Sequence, residues 1–173
     1  MTTQLAEVVI RPGRAPDLPA LAAIEDSGAE TFTRYGRPLA DGSPPAPPDQ
    51  WAAALDAGLL WIAEHPDDGP IGFLAGELAD GGLYVEEVDV LIAHQQRGHG
   101  RRLMQAAIDW ARGRGLPAVT LTTFRGIPWN APFYASMGFE ILDAAQMPPM
   151  LAATLANEAA LGFEDRCGMR LAL

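Results

Sequence analysis

The sequence holds a single cysteine, Cys167, in 173 residues. No internal disulfide can form, so the fold must rest on its core, and an unpaired thiol suits a reducing compartment such as the cytoplasm. Positive charge is scarce as well: 12 Lys+Arg face 22 Asp+Glu, a net charge of -10. That balance argues against general binding to nucleic acid or to an anionic membrane, and it tolerates cationic small molecules better. Long apolar runs are also missing. Charges, Pro or Gly interrupt every hydrophobic stretch before the about 20 residues that a membrane helix needs. The start "MTTQLAEVV" lacks the basic and apolar regions of a secretory signal. What is plentiful is hydrophobic sequence, 49% of the chain, enough for a core without disulfides or metals. The length predicts one domain over residues 1–173.

Periodicity and punctuation outline a mixed α/β chain. "EVVIRPG" (Glu7–Gly13) alternates as a short strand, and "APDLPALAAIEDSGAE" (Ala15–Glu30) carries Leu18, Leu21, Ala22 and Ile24 at helical spacing. Between Pro38 and Asp49, prolines that cannot donate backbone hydrogen bonds predict a loop. "PDQWAAALDAG" reads as a helix ending at Gly58, "LLWIAEH" and "GPIGFLAGELA" as a hairpin joined by "PDDG", and "GGLYVEEVDVLI" as a third strand. A helix, "GRRLMQAAIDWARGRG", a strand, "LPAVTLTTF", a short helix, "NAPFYASMG", and the strand "FEIL" follow. A helix around "PPMLAATLANEAALG" and a strand, "RCGMRLAL", complete the order. Leu103, Ala106, Ala107, Trp110 and Ala111 line up as one apolar stripe able to pack on a sheet. Trp51 and Trp61 are expected to anchor the core, and Cys167 to be a buried thiol.

The stretch "HQQRGHGRRLM" (His94–Met104) joins a strand to a helix through a turn with two glycines, Gly98 and Gly100. A helix N-terminus presents unpaired N–H groups and partial positive charge, and glycine lets an anion approach the backbone. Arg97, Arg101 and Arg102 add positive charge to an acidic chain. Phosphate is a reasonable guest, although any strand-to-helix turn can use glycine. Two familiar phosphate loops do not fit. A P-loop needs Gly-Lys-Ser/Thr, whereas Gly100 is followed by Arg101 and Arg102. A dinucleotide fingerprint wants Gly or Ala where Leu103 stands, and an acidic residue after the next strand, where "LTTFR" has none. A nicotinamide-dependent oxidoreductase is disfavoured accordingly. His65, His94 and His99 make no helical pair and have no cysteine cluster, so no metal site is expected. The aspartates of "HPDDG" read as turn residues.

"QQRGHG" (Gln95–Gly100) matches the Q/R-x-x-G-x-G/A motif of the GNAT superfamily of acyl-CoA-dependent N-acetyltransferases, and lies after a strand and before a helix as it does there. "PWNAPFYASMGFE" (Pro128–Glu140) resembles the family's second landmark, an Asn and a Tyr on a short helix before a Gly-Phe strand start. The resemblance covers most of the chain; one departure is Ile92, where the family often has Pro. It implies a splayed mixed central sheet of about six to seven strands flanked by helices. Acetyl-CoA would lie between the cofactor strand and "LPAVTLTTF". Backbone groups of Val90, Leu91 and Ile92 would hold the pantetheine and acetyl carbonyl, and the amides of Gln95, Gln96, Arg97, Gly98, His99, Gly100 and Arg101 would wrap the pyrophosphate. The side chain of His99 is then incidental. The family also contains many dimers, so a homodimer is a further expectation.

Acetyl transfer needs a neutral amine, a stabilised oxyanion and a proton for the leaving thiolate. Tyr134 matches the family's tyrosine near the CoA sulfur and is the candidate acid, since a phenol of pKa about 10 is protonated at neutral pH. Packing beneath the helix is its plain structural alternative. Asn130 matches a position that contacts pantetheine or orients the site, and by itself reads as a helix N-cap. For the base, Glu86 and Glu87 break the period-2 pattern of a buried strand, so one faces inward or the strand bulges. Glu87 is preferred, with Glu86, Asp89 or water as alternatives; an exposed strand edge would leave both glutamates merely solvated. Phe32, Tyr35 and "GSPPAPP" fall where the family places its variable acceptor segments. The acceptor is expected to be a small-molecule or peptide amine. A non-catalytic acyl-CoA-binding or regulatory module is the other reading.

Overall fold

The strand-forming runs punctuated by Gly, Pro and Asp become strands of one sheet in the computed structural model, which describes residues 7–34, 36, 47 and 49–173. Among the described residues there are seven strands: β1 (Val9–Pro12), β2 (Leu60–His65), β3 (Gly69–Ala79), β4 (Gly82–Val90), β5 (Ala118–Phe124), β6 (Glu140–Ile141) and β7 (Arg166–Ala172). Five α-helices accompany them: α1 (Leu18–Arg34), α2 (Ala52–Asp56), α3 (His99–Gly113), α4 (Ala131–Ala135) and α5 (Pro149–Ala160). The strand order is β1-β2-β3-β4-β5-β7-β6, an open sheet. It is mixed: β4 runs parallel to β5, while β1–β2, β2–β3, β5–β7 and β6–β7 are antiparallel. The parallel β4–β5 ladder consists of three pairs, Leu83–Val119, Tyr84–Thr120 and Val85–Leu121. Two units share the chain, one formed by residues up to Gly76 with Glu87–Ala107, the other by Glu77–Glu86 with Ile108–Leu173.

In the first unit, α1 and α2 bury Leu21, Ile24, Trp51 and Ala54 with Leu60, Ile62, Phe73 and Ala75 of the strands. A fully buried side chain of this size contributes about 1.5–3 kcal/mol. Trp51 is the expected anchor, its ring 5.6 Å from that of Phe73, and Trp61 is buried as well. Helix α1 runs beyond the predicted Glu30 to Arg34, helped by the Glu30–Arg34 pair at i,i+4 spacing. At its start, Arg11 of β1 donates to both carboxylate oxygens of Asp17 at 2.8 Å and to Glu64 at 2.6 and 3.0 Å. Hydrogen bonding to Arg11, before any other cause, holds the buried Asp17 carboxyl below its ordinary range.

In the second unit, β3 turns into β4 through Asp80 and Gly81, both at positive φ (52° and 78°), the geometry that matches strand twist in a two-residue hairpin. The Asp80 carboxylate then accepts from the Met150 and Leu151 amides at 3.2 and 3.3 Å, capping α5 from a different element. Strand β7 pairs with β5 over seven residues and with β6 on its other side. Glu158 of α5 meets Arg166 of β7 at 2.7 Å and accepts from Thr122 of β5 at 2.7 Å. The Arg166 guanidinium also lies 4.5 Å from the Phe124 ring centre. Cys167 is buried and free, and burial raises its thiol.

The apolar stripe of α3 differs from the expected one. Leu103, Met104, Ala107, Ile108 and Ala111 are buried, whereas Ala106 and Trp110 are only half-buried. Met104 and Ile108, one position on from Leu103 and Ala107, complete the buried face in place of Ala106 and Trp110, and the Trp110 ring lies 4.6 Å from the Arg114 guanidinium. No helix among the described residues is long and apolar enough to cross a membrane. Tyr35 and most of "GSPPAPP" lie outside the described residues.

Candidate active site

In the first unit, β4 ends at Val90 and the chain passes through a short 3-10 turn, Ile92–His94, into the loop before α3. The Leu91 amide donates to Ile71 of β3 at 2.8 Å, so by strand alternation the Val90 backbone groups point away from β3. The Val90 carbonyl accepts from Gln95 Nε2 at 2.9 Å, and the same nitrogen reaches Thr31 Oγ1 of α1 at 3.1 Å. The Ile92 amide donates to Ser27 Oγ at 2.9 Å, and the Gln95 amide to the Ile92 carbonyl at 3.2 Å. Three of the expected amides, those of Leu91, Ile92 and Gln95, are therefore engaged within the chain. The candidates for holding an anion narrow to the amides that follow.

Those amides are well placed for an anion. Gln96 (φ 60°) and Gly98 (φ 84°) both occupy the left-handed region, a backbone pattern that turns successive N–H groups into one concavity. The first α3 bond runs from the Arg102 amide to the Gly98 carbonyl at 3.1 Å, so the amides of Gln96 to Gly100 have no intrahelical acceptor. A side chain at Gly100 would meet nothing within 4 Å, so no atom of the chain requires glycine there; the opening suits a guest pressed against the backbone. Arg97, Arg101 and Arg102 are exposed around this turn.

All three histidines also gather in this unit, which their sequence separation did not suggest. The His65 and His94 rings lie 5.3 Å apart, and Asp68 Oδ2 is 3.1 Å from His94 Nε2 and 3.4 Å from His65 Nδ1. Burial, then the charge of Arg102, lowers His99, favouring a neutral ring beside the loop. Among the described residues, no group of three or more His, Cys, Asp or Glu is arranged to hold a metal ion.

The carboxylates of β4 divide. Glu86, in the second unit, is exposed, and its carboxyl is raised first by loss of solvent and then by Glu77. Glu87 and Asp89, in the first unit, are half-buried and, two residues apart, lie on one face of the strand. Burial first, then the charges of Glu87 and of Glu25 on α1, holds the Asp89 carboxyl well above the aspartate range. Glu25 is itself raised by burial, against the lowering effect of Trp51 Nε1, which donates to it at 3.1 Å.

In the second unit, Tyr134 is buried on α4, its ring 5.1 Å from Phe133 and 5.9 Å from Phe139. Asn130 stands at the N-cap position of α4, but its side chain makes no capping bond, because its backbone (φ -108°, ψ -111°) is far from the extended form that capping uses. Its Oδ1 is buried without a hydrogen-bond partner, an acceptor held ready for a donor from outside the chain.

Sequence reasoning missed the part played by α1. Ser27 and Thr31 tie the end of β4 and the loop to that helix, and buried Gly28 abuts Asp89. A glycine between Ser27 and Ala29, inside a helical pattern, was the available signal.

The chain matches the profile described as "Acetyltransferase (GNAT) family" over residues 23–139. N-acetylglutamate synthase from Neisseria gonorrhoeae, solved with coenzyme A and N-acetyl-glutamate, is similar at a TM-score of 0.68 and 20% identity. That match covers 97% of this chain but 35% of the synthase, so the chain spans about a third of that relative's length. Rv2747 from Mycobacterium tuberculosis, in complex with CoA, gives 0.71 and 22%, covering 95% of this chain and 99% of that one. The ribosomal-protein-S18-alanine N-acetyltransferase from Escherichia coli gives 0.68 and 17%, with 96% and 94% covered. At these identities the likeness establishes the shared architecture, while the profile spans well over half of the sequence. The chain belongs to the GNAT family of acetyltransferases.

Proposed function

We propose that this protein is an N-acetyltransferase that moves the acetyl group of acetyl-CoA onto a primary amine by direct attack, without a covalent enzyme intermediate. The observation that carries the reading is the turn before α3, where Gln96 and Gly98 take positive φ and the amides of Gln96 to Gly100 have no intrahelical acceptor, beside an open Gly100. A diphosphate is matched by such a concavity at a helix N-terminus. In this reading the amides of Gln96 to Gly100 hold the pyrophosphate, flanked by Gln95 and Arg101. Val90, Leu91 and Ile92 mark the pantetheine, with the Val90 carbonyl as acceptor, and Asn130 Oδ1 accepts from a pantetheine N–H. Glu87 takes one proton of the incoming ammonium and passes it to water, while Tyr134 gives its proton to the departing thiolate and is restored by the second proton, which the nitrogen loses as the C–S bond breaks and the amide forms. Glu86 is the weaker choice of base because it is exposed. The acidic surplus suits a cationic acceptor, either a small molecule or a peptide amine. We further propose that the whole chain works as one such domain in a reducing cytoplasm.

Calorimetric titration with acetyl-CoA tests the donor; absence of binding up to millimolar concentration refutes it. Release of CoA thiol is then followed with spermidine, glucosamine, lysine and a peptide with a free N-terminus. Tight binding with no release across that panel favours the non-catalytic module. With an active amine, Tyr134→Phe should lower kcat by about 10²-fold or more, the usual scale of acid catalysis, with CoA affinity little changed. A variant as fast as the parent removes Tyr134 from the acid role. The chain contains no lysine, so acetylation of its own lysine side chains cannot be the source of thiol release.

A further inference from the structure

Gly28 is buried in the middle of α1, a position where glycine weakens a helix. The space of its missing side chain is filled from β4: a Cβ there would stand 2.6 Å from Asp89 Cγ and 2.9 Å from Oδ2, and closer still to Oδ1. Gly72 of β3 makes room for the same residue, since its Cβ would lie 2.9 Å from the Asp89 carbonyl oxygen. Two glycines on two elements thus clear a seat for one aspartate. Asp89 and Glu87, two residues apart on a strand, share a face, and the charge of Glu87 adds to burial in raising the Asp89 carboxyl. Ionised carboxylates only accept, so a hydrogen bond between the two requires a proton on one of them. Glu25 faces the pair from α1 with Asp26 beside it, while Gly72 contributes only backbone.

We propose that Asp89 is a positioning residue for the proton acceptor: seated against Gly28, it shares a proton with Glu87 and so fixes the direction of the Glu87 carboxylate. The proposal rests on the reading of Glu87 as base. In the step itself, an N–H bond of the substrate ammonium breaks and an O–H bond forms on Glu87. The pair then holds two protons, of which one passes to water after transfer. Asp89 serves as a donor, and its negative charge is not what the site uses.

The substitutions Asp89→Asn and Asp89→Ala separate these roles, because Asn keeps a neutral donor and Ala removes it. With acetyl-CoA and the fastest amine of the panel, D89N should stay within about threefold of parental kcat, while D89A falls about tenfold or more at unchanged KM for acetyl-CoA. D89N as impaired as D89A, or both as fast as the parent, overturns the proposal. An infrared spectrum of the protein at pH 7 gives a reading that needs no substrate and survives if D89A does not fold. A protonated-carboxyl C=O band that is present in the parent and lost in D89N supports the shared proton; no such band in the parent overturns it. Glu87→Gln distinguishes the two layers. Parental turnover in E87Q refutes Glu87 as base, whereas an impaired E87Q beside a fully active D89A refutes only the role of Asp89.

Discussion

The seat of Asp89 makes a stability prediction whose sign depends on the neighbour. Replacing Gly28 by Ala adds a methyl group where the Asp89 carboxyl now sits, with three of its atoms inside 3 Å. Overpacking of this kind costs about 1–3 kcal/mol. The same substitution gains about 1 kcal/mol of helix propensity in the middle of α1. Gly28→Ala alone is therefore expected to destabilise by about 0–2 kcal/mol. Once Asp89→Ala has emptied the space, only the propensity gain remains, and Gly28→Ala should stabilise by about 1 kcal/mol. The double-mutant cycle thus closes with a coupling of about 1–3 kcal/mol. Urea unfolding of the four proteins, read from midpoint and slope, measures it. Additivity within about 0.5 kcal/mol would show that the carboxyl moves aside at no cost, and the argument that Gly28 exists to admit Asp89 would fail.

Two further outcomes follow from ion pairs outside the site. Arg166→Met leaves Glu158, whose side chain is 16% exposed, with Thr122 as its remaining donor, and should cost about 3 kcal/mol in urea unfolding. A loss inside the range of about 0–1 kcal/mol typical of surface pairs contradicts that assignment. Asp17→Asn should destabilise by about 1.5–3 kcal/mol at pH 7, the range for hydrogen bonds to a charged group. Because Arg11 depresses the folded-state value of Asp17, the stabilisation is complete above the unfolded value near 4 and is lost as pH falls through the folded one. Parent and variant should therefore converge in acid, and a gap that persists to the lowest measurable pH would contradict the linkage.

The strands and helices were largely legible because their signals are local. Pro12–Gly13, "PDDG" and Gly115 punctuate the sequence at the places where elements end, and the third predicted strand overshot only by running to Ile92, where a 3-10 turn begins. Helix α1 was cut short at Glu30 because Thr31, Phe32 and Thr33 are weak helix formers, and tertiary contacts and the Glu30–Arg34 pair carry the helix across them. The loop was found by its glycines, yet the engagement of the Ile92 and Gln95 amides was hidden, since their acceptors depend on where the chain folds back. The division of labour between Glu86 and Glu87 was equally hidden. Alternation puts Glu87 on the face of Asp89 and Glu86 on the other, but only the packing of α1 against Asp89 shows which face is covered.

Gln96 carries a consequence for engineering. As a side-chain-bearing residue at φ 60°, it holds a conformation that costs an L-amino acid about 1–2 kcal/mol relative to a right-handed one. A consensus or computational search for thermal stability would select Gly at this position and find the fold tightened. The same change widens the range of shapes that the loop samples before its ligand arrives, so part of the gain returns as weaker binding. Position 96 is thus where robustness and readiness are set against each other, within a single backbone dihedral.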